Sequence, residues 1–136
     1  MKSSRSILVF VSLLALASTP AMAATLTETL DAIRTVESGG RDIVGDGGAA
    51  IGPYQIHKGY WKDSGVPGKW EDCHNEAYAR QVVIAYMKRY CPTAIKNPDD
   101  VNAEVMSRKH NGGGPKGEKN PATVKYWLKV KKVLES

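Results

Sequence analysis

Nine of the 13 glycines in this 136-residue chain fall between Gly39 and Gly68, together with Pro53 and Pro67. Glycine loses the most backbone entropy on ordering, so a stretch this rich in it does not sustain a long helix or strand by itself and has to be held by regular elements on either side. It reads as irregular chain with at most a short hairpin around Asp46-Gly47, where an Asp-Gly pair suits the positive φ of a tight turn. The flanks are helical. Over Thr25 to Glu37, Leu26, Leu30, Ile33 and Glu37 recur on one face, Thr25 and Glu28 form a capping box, and Gly39-Gly40 ends the run. After Asn75, Ala79, Val82, Val83, Tyr86 and Tyr90 form a second stripe that Cys91-Pro92 stops. Asp99 or Asp100 caps a third helix through Val101, Val105 and Met106, ended by the glycine run after His110. Asn120-Pro121 opens a last one that carries Val124, Trp127, Val130 and Leu134 inward. The expected fold is mainly α, four or five helices around the glycine-rich segment, in one domain.

Lys2 and Arg5 precede an apolar run from Ile7 to Ala17, and Ala21-Met22-Ala23 supplies a small-x-small cleavage pattern, so residues 1–23 read as an export signal. Removing them leaves residues 24–136, 113 residues with net charge +3 rather than +5, because both lost charges are basic. Such a chain is secreted, or periplasmic in a Gram-negative source. The mature part has no phenylalanine, leaving Trp61, Trp70, Trp127 and the tyrosines as its aromatic bulk. Two cysteines, Cys73 and Cys91, in an oxidising compartment favour one disulfide over two free thiols. No ligand cluster for a metal and no cofactor motif occurs, and His57, His74 and His110 are scattered. No second apolar stretch is long enough for a membrane span. Basic residues cluster only at Lys125, Lys129, Lys131 and Lys132, a solvated helix face before an anionic-surface contact, so nucleic acid is not an expected partner and a monomer is the default.

Glu37 carries the most chemical information. A carboxyl on the core-facing stripe of a helix, in its last turn, is raised in pKa by burial and suits a general acid, unless it simply swings to solvent. Asp46 lies nine residues on, between glycines, where a carboxylate stays hydrated and ionised; two carboxyls in contrasting settings are what glycoside hydrolysis needs, although an Asp there also makes an ordinary turn. Asp42 is a weaker rival. In Ile51-Gly52-Pro53-Tyr54-Gln55-Ile56, Tyr54 can pack on a sugar ring and Gln55 bond its hydroxyls, or they are a core tyrosine and a surface amide; Tyr60-Trp61 has the same two readings. His110, with Asn111 beside it, contacts substrate or caps its helix. The glycine run at 112–114 lacks the context of a P-loop, and no G-x-S-x-G elbow or H-E-x-x-H cluster occurs.

These residues resemble a known family. Val36-Glu37-Ser38-Gly39, Gly52-Pro53-Tyr54-Gln55-Ile56 with Tyr60-Trp61-Lys62-Asp63, Tyr86-Met87-Lys88-Arg89-Tyr90, His110-Asn111-Gly112-Gly113 and Tyr126-Trp127 look like the ordered landmarks of invertebrate-type (i-type), destabilase-like lysozymes. The resemblance implies an α+β lysozyme-like fold and a secreted muramidase that hydrolyses the β-1,4 bond between N-acetylmuramic acid and N-acetylglucosamine in bacterial peptidoglycan, in defence or digestion. It implies Glu37 as acid and Asp46 as second carboxylate of a retaining mechanism. Three departures stand out: few cysteines for this family, a short stretch between Glu37 and Asp46, and Gly48 or Ala49 and His57 where an isopeptidase serine and lysine are seen in some members, so isopeptidase activity is expected to be absent or weak. Two other functions fit the same landmarks: a non-catalytic peptidoglycan-binding protein, and a lytic transglycosylase using Glu37 alone.

Overall fold

Local capping sets the first element as the sequence predicts. In the computed structural model, which describes residues 23–136, helix α1 spans Leu26–Ser38. The Glu28 amide donates to Thr25 Oγ1 at 3.1 Å and the Thr25 amide to Glu28 Oε2 at 2.9 Å, so two amides that the helix leaves orphaned find partners. Gly39, at φ 65°, ends it in the left-handed conformation. Leu30 and Ile33 face the core. The export signal expected over residues 1–23 lies, but for Ala23, outside the described residues.

The glycine-rich segment is more regular than its composition suggests. Strands β1 (Val44–Gly45) and β2 (Ala50–Ile51) form the hairpin around Asp46-Gly47, with Val44 opposite Ile51 and Gly45 opposite Ala50. A third strand, β3 (Ile56–His57), adds to β2 with Ala50 opposite His57, and helix α2 (Lys58–Ser64) comes next, ending at Gly65. Sequence periodicity misses both, because two paired residues and two turns of helix carry no apolar repeat. Gly52, at φ 78°, closes the link between β2 and β3; a Cβ there would meet the carbonyl oxygen of Cys73 at 2.0 Å, so only glycine permits the segment to pack on the 3-10 turn Trp70–His74.

Helix α3 (Glu76–Tyr90) starts at Asn75, whose side chain accepts from the Tyr78 amide at 3.0 Å, and buries Ala79, Val82, Val83, Tyr86 and Met87. Strands β4 (Ile95–Asn97) and β5 (Asp100–Val101) then pair antiparallel, a second small sheet beyond the single hairpin expected. They correct the next boundary: Asp100 and Val101 are strand residues, and Asn102, accepting from the Val105 amide at 3.0 Å, caps α4 (Ala103–Gly112). The 113–120 loop is pinned from below by Lys109, fully buried, whose Nζ donates to the Gly114 carbonyl at 2.7 Å and pairs with Glu118. Asn120 and Pro121 open a 3-10 turn that leads into α5 (Val124–Leu134), packed along α1 and α4. Val124, expected inward, is 40% exposed; Val130 is buried, with Tyr126, Val133 and Leu134 on its side of the helix.

The expected disulfide is corrected as well: Cys73 and Cys91 are separate, buried thiols. Cys91 closes α3 with its thiol turned back along its own helix, 3.5 Å from Met87 Sδ. Burial pushes the Cys91 thiol up to about 11 and the Cys73 thiol up to about 12, so both remain neutral and fill the core as small apolar side chains. No helix among the described residues is long and apolar enough to cross a membrane.

Candidate functional site

The end of α1, the hairpin and the last turn of α4 converge on a cleft of about 340 Å³ lined by Glu37, Gly45, Asp46, Gln55, His57, Tyr60, His110 and Asn111. Five of these are among the residues singled out from sequence for catalysis or binding on separate segments, namely Glu37, Asp46, Gln55, Tyr60 and His110; Asn111 is a sixth, exposed at the rim.

The residue after Glu37 fixes its position. Ser38 Oγ, buried, donates to the Pro53 carbonyl at 2.8 Å, tying the C-terminus of α1 to the turn that carries Tyr54 and Gln55. The Glu37 side chain is 20% exposed, so it neither swings into solvent nor disappears into the core. Its Oε1 accepts from the Tyr126 hydroxyl at 2.8 Å and lies 3.3 Å from His110 Nε2. Burial, and then the neighbouring Glu37 carboxylate, hold the Tyr126 phenol well above its ordinary pKa, so Tyr126 faces Glu37 as a hydrogen-bond donor.

His110 is buried and held from two further sides. Its Nε2 lies 3.0 Å from the Tyr54 carbonyl, and a carbonyl only accepts, so Nε2 carries the hydrogen. Nδ1 meets the Tyr60 hydroxyl at 3.0 Å. Tyr60 stacks on Tyr86 with centroids 3.6 Å apart and planes 9° from parallel, and the Tyr86 hydroxyl accepts from the Gly114 amide at 2.7 Å. Burial keeps the Tyr60 phenol protonated by driving its pKa well up. The floor of the cleft is therefore a connected set of hydrogen-bond donors and rings around one carboxyl.

Asp46 stands on the hairpin turn at φ 49°, between glycines, and its Oδ2 is 2.9 Å from His57 Nε2. Asp42 leaves the competition: it is exposed, lines no part of the cleft, and meets His74 Nδ1 at 2.6 Å.

Two of the expected sugar contacts are structural instead. Tyr54 is fully buried, its phenol pushed up to about 12 by burial, and it serves the cleft only through its backbone carbonyl. Trp61 lies outside the cleft and donates through Nε1 to the Tyr78 hydroxyl at 2.9 Å, fastening α2 to α3. Gln55 does border the cleft, yet its Nε2 is committed to the carbonyls of Ile43 and Gly52 at 2.9 and 3.0 Å. Its Oε1 occupies the space where a Cβ on Gly45 would sit, 2.1 Å away, so Gln55 is a brace across the hairpin that only glycine at position 45 allows.

Tyr126 and His57, named from the sequence only as part of a family landmark and at the place of an isopeptidase lysine, are the site residues to which it assigns no catalytic or binding role. The signal for Tyr126 is present, since Tyr126, Val130 and Val133 lie at i, i+4 and i+7, but the equally periodic Val124–Trp127–Val130 stripe obscures it. His57 has no local signal, because it meets Asp46 only through the sheet register.

The chain has relatives along most of its length. The family model described as Destabilase matches residues 27–133. An invertebrate-type lysozyme of Ruditapes philippinarum is 39% identical over 104 residues, covering 72% of this chain and 74% of that protein. A lysozyme of Meretrix lusoria is 34% identical over 114 residues, covering 76% and 86%. Among solved structures, an inhibitor-bound lysozyme from Meretrix lusoria aligns with a TM-score of 0.66 at 35% identity over 82% of this chain and 92% of that one. The lysozyme of Tapes japonica aligns with the same score and identity over 82% and 94%. A match across nearly the whole described chain, in sequence and in fold, means that this chain belongs to the Destabilase family, together with the invertebrate-type lysozymes.

Proposed function

We propose that this chain is a secreted lysozyme, a glycoside hydrolase that cleaves the β-1,4 bond between N-acetylmuramic acid and N-acetylglucosamine in bacterial peptidoglycan. The observation that carries the reading is the contrast between two carboxyls on one cleft: Glu37, 20% exposed and bonded through Oε1, and Asp46, exposed on a turn. Because Oε1 already accepts from Tyr126 and faces the His110 N–H, a proton on Glu37 sits on Oε2, the oxygen left for a substrate. Glu37 gives that proton to the glycosidic oxygen as the bond to the anomeric carbon breaks. Asp46, ionised, forms the bond to that carbon or stabilises the positive charge there. Glu37, now a carboxylate, takes a proton from the water that completes hydrolysis with retention. Tyr126 strengthens its hydrogen bond as Glu37 becomes charged, which stabilises the state reached after proton transfer.

Export rests on the leader pattern of residues 1–23, and the net positive charge that remains without it favours encounter with an anionic cell wall. Cleavage of γ-glutamyl-ε-lysine bonds is not expected, since His57 stands where a lysine would be needed and is engaged with Asp46.

The test is mass spectrometry of fragments released from purified peptidoglycan by the purified protein. Fragments with reducing-end N-acetylmuramic acid are expected. Ends in the 1,6-anhydro form would instead assign a single-carboxyl transglycosylase, and binding without release would assign a wall-binding protein.

A further inference from the structure

We infer that His57 is a positioning residue for the reaction, holding the Asp46 carboxylate in the orientation from which it faces the sugar. The inference rests on the two-carboxylate reading above and adds a residue to it.

Asp46 is poorly restrained by its surroundings. It occupies the left-handed region at φ 49°, which residues other than glycine adopt rarely, and its neighbours on both sides are glycines. A Cβ built on Gly47 or Gly48 would meet nothing within 4 Å, so nothing packs against the turn at those two positions. The turn keeps one backbone bond of its own, from the Ala49 amide to the Asp46 carbonyl at 3.2 Å, and it does not involve the carboxylate. The side-chain hydrogen bond that the structure gives to the carboxylate runs from His57 Nε2 to Oδ2, at 2.9 Å.

Sheet register makes that bond available. Gly45, Ala50 and His57 stand opposite one another across β1, β2 and β3 and share one face. The two residues between the imidazole and the hairpin turn are thus a glycine and an alanine, too short to block it, and the ring reaches the residue after Gly45. A carboxylate only accepts, so His57 donates through Nε2 whether its other nitrogen carries a proton or not. The bond occupies Oδ2 and leaves Oδ1 for the anomeric carbon. The benefit of the bond lies in orientation: a carboxylate on a bare glycine turn would otherwise sample rotamers that point away from the cleft. With side-chain exposures of 52% and 69%, the pair is too well solvated to be a stability element.

The experiment compares kcat and KM on purified peptidoglycan for wild type, His57→Ala, His57→Gln, Asp46→Asn and the Asp46→Asn/His57→Ala double variant. Loss of one exposed charge-assisted bond corresponds to a kcat decrease of about tenfold for His57→Ala, with KM changed by less than about twofold. Glutamine carries an amide N–H that can reach the same oxygen, and is expected to restore kcat to within about threefold of wild type. In the Asp46→Asn background, removing His57 is expected to cost nothing further, because a residue that acts through Asp46 has nothing left to orient. Undiminished kcat in His57→Ala, an equal loss in His57→Gln, or an equal additional loss in the double variant would each overturn the inference. Should Asp46→Asn abolish turnover, the alanine and glutamine variants decide between these outcomes. Wild-type turnover in Asp46→Asn would refute the two-carboxylate reading itself, and this inference with it, a result that the single variant distinguishes from a failure of His57 alone.

Discussion

Two histidine–carboxylate pairs border the same cleft, and their surroundings differ in almost every respect. His110 and Glu37 expose 3% and 20% of their side chains, and the pair is hemmed in by the Tyr54 carbonyl and the hydroxyls of Tyr60 and Tyr126. His57 and Asp46 are mostly in water and touch each other across a small sheet. In the low-dielectric floor each hydrogen bond is strengthened and each orphaned partner is costly, so the buried pair is part of the fold. On the rim, water and salt screen the interaction, and what remains is geometry. The same two residue types therefore supply a rigidly held carboxyl in one place and an adjustable carboxylate in the other, with burial as the deciding variable.

The largest expected effect breaks the buried member of the comparison. Glu37→Gln keeps the shape and a partner for Tyr126 but has no proton to give, and kcat on peptidoglycan is expected to fall by on the order of a thousandfold at unchanged circular dichroism. Retention of more than about a tenth of the activity would remove Glu37 from the role of acid.

Stability measurements set the two pairs directly against each other. His110→Ala leaves the Tyr54 carbonyl and the Tyr60 hydroxyl without their partner and opens a cavity beside stacked rings, so urea unfolding is expected to show a loss of about 2–3 kcal/mol. His57→Ala is expected to change stability by less than about 0.5 kcal/mol. Equal losses in the two variants would erase the distinction between floor and rim.

A smaller effect probes one bond inside the buried pair. Tyr126→Phe removes the donor to Glu37 Oε1 while keeping the ring that packs near His110, and a decrease of about tenfold in kcat is expected from a single charge-assisted hydrogen bond. An unchanged rate would mean that His110 alone holds that oxygen.

The mildest consequence of burial concerns the thiols. With Cys91 held up to about 11 and Cys73 up to about 12 against an ordinary 9, the native protein at pH 8 is expected to resist an aromatic disulfide reagent and to expose two reactive thiols on unfolding. Because both values are raised in the folded state, that state keeps its advantage below pH 9 and loses it as pH rises toward 11 and 12, where the buried thiols would have to ionise. Reaction of both thiols in the native state, or a mass two hydrogens lighter, would contradict the buried free pair.

Much of the scaffold is readable from the chain because its determinants are local. The capping box of Thr25 and Glu28, the stop at Gly39, the cap at Asn75 and the Asp-Gly hairpin each depend on residues a few positions apart. Where a distant partner intervenes, local patterns mislead. Asp100 and Val101 look like the start of α4 until β4 claims them, and Val124 looks inward until α1 and α4 fix the rotation of α5 and turn Tyr126 toward Glu37. An even cysteine count suggests a bridge, but the thiol of Cys91 lies along its own helix.

The sequence by itself determined that a carboxyl ends the first helix and that a second sits on a glycine turn nine residues later, since helix phase and turn chemistry are properties of neighbouring residues. Only the tertiary structure decided what those carboxyls meet. Tyr126 reaches Glu37 across 89 residues of chain, His110 reaches the Tyr54 carbonyl across 56, and His57 reaches Asp46 through the register of three short strands. Contacts at such separations depend on how every helix and strand packs at once, and no single stretch of sequence contains that sum.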